Sequence, residues 1–264
     1  MPIWSGWQNK PPPGTPIDWN HPYAVGLVAA WIFNTPGPPI ELVGQRAASA
    51  STAYTTVSDI NGFVGSFNGS STNASYNGVP AMGPGMSLAG ACSLTTVSSN
   101  FMLIERESVN ATWAILGESS TLKWRGADGN FRNQFSISGV SNKQRFSWAF
   151  TDVGNAGTAI SSGYLNGVSV GSAGVSNAPA ASNTNLIHLG NYDNSGYFLG
   201  GTQDYIYIWN WAIPADMAVN IGFNPWQIFQ EPSPSLLFSS SISVVTIPYH
   251  PLNINQAVTR AAYY

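Results

Sequence analysis

Charge is the scarcest property of this sequence. Asp, Glu, Lys and Arg together make up 8% of 264 residues, where soluble domains usually carry about 25%. The net charge is −3, and the few basic residues form no cluster that could follow a phosphate backbone. Nucleic acid is therefore excluded as a partner. Cysteine occurs once, as Cys92, so no intrachain disulfide exists, and no base stands out that would activate the thiol. No apolar run reaches the length of about 18 residues that a membrane-spanning helix needs, so no membrane partner is expected. The Met1 end carries Trp4, Trp7 and a proline run, not a basic stretch followed by an apolar one. No export signal is expected from it. His21, His188 and His250 lie far apart, and no His or Cys spacing marks a zinc site.

What the sequence has is apolar mass and turn chemistry. Hydrophobic residues make up 44%, with 27 Gly and 18 Pro, enough for a sizeable core in one large sandwich or two small domains. With so little charge, the polar surface must come from Ser, Thr, Asn, Gln and Gly. Faces that pack against other copies need little charge, because an unpaired buried charge is costly. The composition thus suits a subunit of an assembly or a neutral extracellular β protein.

Short strands separated by Gly and Asn turns recur along the chain. Val25–Phe33 is almost continuously apolar, the pattern of a strand covered on both faces. Gly62–Phe67 is a second candidate, followed by a loop-like region to about Gly90. Phe101–Ile104, Thr112–Leu116 and Thr121–Arg125 follow. Asp128-Gly129 and Asn166-Gly167 are tight-turn pairs between strand-like arms, so each predicts a hairpin. On the second arm of the first hairpin, Phe131, Phe135 and Ile137 share a face. Phe146, Trp148 and Phe150 alternate with polar residues, as in a half-buried strand. Leu186–Leu189 and Asp204–Trp209 complete the series. In the last, Tyr205, Tyr207 and Trp209 face one side and Ile206 and Ile208 the other, which places it centrally or under a covering segment. One short helix is expected, with Pro214 in its first position, Met217 and Ile221 four apart, and Gly222 ending it. The fold class is all-β: a two-sheet antiparallel jelly-roll sandwich with one short helix.

The two ends read differently. Residues 1–24 hold Pro11, Pro12, Pro13 and Pro16, which forbid a regular ladder. Trp4, Trp7 and Trp19 look like anchors for another surface. Residues 231–264 hold four more prolines, a serine run, the β-prone stretch Ser243–Ile247 and Tyr249. The expected organisation is an extended arm over 1–24, a sandwich over 25–230 and a second extended arm over 231–264, which either adds a strand to a neighbouring subunit or packs back on its own domain.

Three segments carry a resemblance. His21-Pro22 through Asn34 resembles the opening strand of the laminin-G-like, concanavalin A-like lectin/glucanase superfamily in its bacteriophage versions. Gly200 through Ile213 resembles that family's closing strand and following helix, and Asn224-Pro225-Trp226-Gln227-Ile228-Phe229 the stretch after it. The resemblance implies a jelly roll. It also implies a virion home: a capsid decoration (cement) protein, a minor capsid protein or a tail-associated binding module. Its partners would be capsid or other virion proteins, its state a homo-oligomer with a trimer among the options, and its place of synthesis the host cytoplasm. The alternative function is a lectin-like module that binds cell-surface glycans.

Enzymatic chemistry finds little support. Glucanases of the superfamily set acidic residues at alternating positions of one strand. Here Glu105-Arg106-Glu107 makes the first step, but Ser108, Val109 and Asn110 follow, so the third acid is missing. No nucleophile-elbow motif is present. No catalytic residue is assigned and no enzyme is expected. Asn191, Tyr192, Asp193 and Tyr197 put aromatic rings beside amide and carboxylate groups, a candidate glycan site. No cofactor is assigned. Calcium is the candidate metal, with Asp193 and Asp204 as ligands; the hard oxygens near strand ends suggest it, and the resemblance carries Asp204 over. The bland reading of these groups is turn and strand-end hydrogen bonding.

Overall fold

A computed structural model describes residues 10–59, 62–80, 85–95, 100–106, 113–118, 120–127, 131–138, 140, 144–153, 159–175, 186–191 and 197–230. The chain divides into two units, Met1–Gln230 and Glu231–Tyr264; all of the second lies outside the described residues. The first is a two-sheet antiparallel β-sandwich. Its strands are β1 (Leu27–Ile32), β2 (Ala50–Thr52), β3 (Thr55–Asp59), β4 (Gly62–Asn68) and β5 (Asn73–Tyr76). Then come β6 (Ser87–Leu94), β7 (Phe101–Arg106), β8 (Trp113–Glu118), β9 (Thr121–Ala127) and β10 (Phe131–Ser138). The last are β11 (Arg145–Val153), β12 (Ala159–Leu165), β13 (Val168–Val175), β14 (Ile187–Leu189) and β15 (Gly200–Trp209), followed by helix α1 (Ala215–Phe223).

One sheet runs β13-β12-β11-β6-β15-β4-β3, with β1 branching onto β15; the other runs β10-β9-β8-β7-β14-β5-β2. Between them lies the main core. It takes Trp31 and Phe33 from the first apolar run, Trp148 and Phe150 from β11, Ile206 and Ile208 from β15, and Trp113 and Trp124 from the facing sheet. Fully burying each such side chain contributes roughly 1.5–3 kcal/mol or more. A second cluster covers the outer face of the first sheet. There Tyr205, Tyr207 and Trp209 pack under Ile17, Met217, Ile221, Trp226 and Ile228. The two-faced apolar pattern of β15 follows from this arrangement, since the strand is buried on both sides.

The sequence expectations differ from the structure in several places. The stretch expected to be loop up to Gly90 contains β5 and the start of β6. Neither shows a simple alternation, because both are buried along almost their whole length. The Asp128-Gly129 turn lies outside the described residues, but β9 and β10 do pair on either side of it, with a register shift between Asn133 and Phe135. Asn166 and Gly167 turn with φ of 52° and 71°, the paired left-handed conformation of a tight hairpin. Helix α1 has Pro214 as its cap and runs past Gly222 to Phe223. Gly222 is there for packing: a Cβ at this position would lie 2.6 Å from the Gly167 backbone nitrogen.

The largest difference concerns the N-terminal arm. Residues 10–24, the described part of it, form a strap on their own sandwich. Pro13 and Gly14 sit at the centre of a turn closed by Thr15 N–H to Pro12 O at 3.1 Å, with Gly14 at φ 85°. Ile17 is buried and bridges Phe229, Asp18 N–H donates to Ile228 O at 2.8 Å, and Gln230 N–H donates to Pro16 O at 3.0 Å. The strap starts at a fork in the sheet. Residues 200–203 of β15 pair with β4 and residues 205–209 pair with β1, with Asp204 at the step. The Lys10 ammonium enters this fork. It donates to Asp204 Oδ1 at 3.1 Å, Phe63 O at 2.6 Å and Phe33 O at 3.4 Å, beside the Trp226 ring.

Candidate functional site

A groove of ≈ 290 Å³ lies between the strap and the sandwich. Its floor is Ile17 and Ile32, both buried. Its walls include Trp19 on the strap side and Ile40 and Leu42 on the other, with Thr15, Asn34, Thr35 and Gln45 along it. Trp19 is 54% exposed and Ile40 52%. Such exposure of an indole on a well-fixed segment is unusual unless the ring meets something.

Local hydrogen bonds hold each wall. Asp18 Oδ1 accepts from Asn20 N–H at 3.0 Å, and His21 N–H donates to Asp18 O at 2.9 Å. This Asx-type turn fixes the backbone that presents Trp19. The opposite wall is the loop 41–46, closed by reciprocal backbone bonds between Glu41 and Arg46. The Glu41 carboxylate is fully buried, yet it is well satisfied. It accepts from Ala30 N–H at 3.0 Å, Val43 N–H at 2.7 Å and Gly44 N–H at 2.8 Å, and from the Arg46 guanidinium. Breaking such a buried network costs about 3–5 kcal/mol. The loop is thereby pinned to β1.

Two amides line the groove with one end tied down. Asn34 Nδ2 donates to Pro11 O at 2.9 Å, and Gln45 Nε2 donates to Leu42 O at 2.7 Å. Their oxygens, Asn34 Oδ1 and Gln45 Oε1, accept no hydrogen bond from the described residues. The groove therefore offers an aromatic face, aliphatic walls and oriented neutral acceptors.

Known protein families provide no match to this sequence, and neither do curated proteins. Solved structures do. The receptor-binding domain of botulinum neurotoxin type G is 12% identical, with a TM-score of 0.59 over 75% of this chain and 51% of that one. Domain 4 of AbnA, an extracellular GH43 arabinanase from Geobacillus stearothermophilus solved with arabinotriose, is 13% identical. Its TM-score is 0.56 over 74% of this chain and 98% of that domain. The binding domain of botulinum neurotoxin DC, in complex with SialylT, is 11% identical, with a TM-score of 0.57 over 76% and 52%. The likeness supports the fold, a two-sheet β-sandwich. This chain spans about half the length of the toxin binding domains it matches.

The groove does not coincide with the site expected from sequence. Of that cluster, Tyr192 and Asp193 lie outside the described residues. Asn191 is buried at the end of β14, and Tyr197 is exposed with its carbonyl accepting from Met102 N–H at 2.7 Å. Asp204, expected as a calcium ligand, is buried between two cations: Lys10 Nζ at 3.1 Å and Arg145 Nη2 at 2.7 Å. Its charge is already compensated, so the donor set there does not fit a calcium ion. Among the described residues no group of three His, Cys, Asp or Glu could hold a metal. Trp4, Trp7 and Tyr249 also lie outside the described residues, whereas Trp19 is the groove's aromatic wall. Glu105 is buried in the centre of the second sheet. It stands opposite His188 in the ladder, whose Nδ1 lies 2.7 Å from Ser75 Oγ. This row is sealed from solvent, and Glu107 lies outside the described residues.

Sequence reasoning singled out Trp19 as an anchor for another surface, not as a groove wall, and did not single out Asn34 or Gln45. Neither sits in a motif. They come together only because β1 brings Asn34 beside the strap and Glu41 folds the 41–46 loop over it.

Proposed function

We propose that this chain is a non-enzymatic carbohydrate-binding module, and that the groove at Trp19 is its ligand site. One observation carries the reading: an exposed, well-positioned indole stands with two amide oxygens free to accept hydrogen bonds. A sugar ring has the matching chemistry, an apolar C–H face to lie on the indole and hydroxyls to donate to the amides. That structural neighbours of the same fold were solved with arabinotriose and SialylT supports the class of ligand.

The test is a glycan array followed by calorimetry on the best hit. Trp19→Ala should weaken binding about tenfold or more, equivalent to at least ~1.4 kcal/mol, with an unchanged circular dichroism spectrum. An array without any hit at high protein concentration would overturn the reading. A virion location is the second reading, favoured by the three segments that resemble phage sandwiches and by the low charge. Copy number in purified particles, by mass spectrometry, tests it.

A further inference from the structure

The groove's charge environment narrows the ligand class, an inference that rests on the glycan-binding reading. We propose that the groove selects neutral saccharides and rejects acidic ones. None of the described residues that line it is charged. The cations closest along the chain are both engaged elsewhere: Arg46 on the buried Glu41 carboxylate and Lys10 on Asp204. The charge next to Trp19 is negative, since the Asp18 carboxylate caps the turn that presents the ring.

A sialic or uronic acid seated here would leave its carboxylate beside aliphatic walls and amide oxygens, with no cation to pair with. Burying an unpaired charge is disfavoured far more than burying a hydroxyl that is hydrogen-bonded. The two amides strengthen the point. Asn34 and Gln45 each donate one amide N–H, to Pro11 O and Leu42 O, while their oxygens accept no hydrogen bond from the described residues and are available to a ligand. Oxygen accepts from sugar hydroxyls and repels a carboxylate.

The experiment compares one short oligosaccharide from the array with the same oligosaccharide bearing a terminal uronic or sialic acid, by calorimetry on the full chain. The neutral form should bind about tenfold or more tightly, with an affinity that does not change with salt. Gln45→Arg, at an exposed position, should narrow or reverse the preference by supplying the missing cation. Equal or tighter binding of the acidic form by the native chain overturns this inference and leaves the carbohydrate reading intact. Binding of neither form, from any array hit, overturns both. Loss of an oligomer on Trp19→Ala without glycan binding means that a second copy fills the groove, and overturns both as well.

Discussion

At the scale of single residues, several of the few charges are buried: Glu41, Glu105, Arg106, Asp152 and Asp204. Asp152 is the most exposed to penalty. It faces the core from β11 with the Trp124 indole as its neighbouring donor, and neither carboxylate oxygen makes a hydrogen bond of ordinary geometry among the described residues; the hydroxyl of Ser161, its ladder neighbour, likewise makes none. Burial raises the Asp152 pKa from 3.8 to about 6, with the Trp124 indole offsetting part of the shift. The folded state therefore keeps a proton that the unfolded chain releases. The stability this supplies is complete below pH 3.8 and falls as the pH rises to about 6. Each pKa unit corresponds to about 1.4 kcal/mol, so the loss is of the order of 2–3 kcal/mol. Asp152→Asn should raise the denaturation midpoint at pH 8 and flatten the decline between pH 4 and 6. A midpoint at pH 8 unchanged or lowered by the substitution would show that Asp152 is satisfied in solution. None of this was legible in sequence, because Asp152 ends an alternating strand where a charged residue reads as solvent-facing. The alternation itself placed Phe146, Trp148 and Phe150 on the core face correctly, and Asp152 simply continues that face.

At the scale of elements, strands with strong side-chain patterns were readable and short polar ones were not. β11 and β15 announce themselves through aromatic residues at alternate positions. β2, only Ala50–Thr52, is exposed, and β5, Asn73–Tyr76, is short and puts only Ala74 and Tyr76 into the core; both also supply partners for the backbone groups of neighbouring strands. Proline likewise misled the reading of the strap. It correctly excluded a ladder over 10–24, but a segment without a ladder can still be held by buried side chains. Lys10 and Ile17 do this, and the sequence does not reveal that Asp204 waits in a sheet fork for a cation. Three outcomes follow from the packing. Deleting residues 1–24 should destabilise the sandwich, because it strips the cover from Tyr205 and Tyr207 and removes one of the two cations on buried Asp204, whereas a free arm would be removable without effect. Lys10→Met should lower the melting temperature by several degrees in thermal unfolding, corresponding to about 3 kcal/mol for breaking a buried pair. Gly222→Ala, which drives a Cβ into the Asn166–Gly167 turn, should cost roughly 1–3 kcal/mol.

At the scale of the whole molecule, low charge has two physical explanations that make different demands. Read from sequence, it suggested surfaces hidden against other copies. In the folded chain, Lys10, Glu41, Arg46, Arg145 and Asp204 neutralise one another within the sandwich and beneath the strap, so part of the scarce charge is used internally. The groove suits a neutral ligand without requiring an assembly. The candidate site was half legible for the same reason: a conspicuous tryptophan can be picked out in sequence, but a groove is a product of closure and belongs to no segment. Whether copies assemble through the groove or through the segments outside 10–230 is a separate question. The experiment is size exclusion with light scattering on the full chain and on a 10–230 fragment. All described residues of the sandwich and the strap lie within 10–230, so equal unfolding temperatures would show that the removed segments add nothing to their stability. An oligomeric full chain with a monomeric fragment assigns assembly to the removed segments, as the arm reading expects of 231–264; monomers in both cases would leave low charge as a property of the binding surface alone.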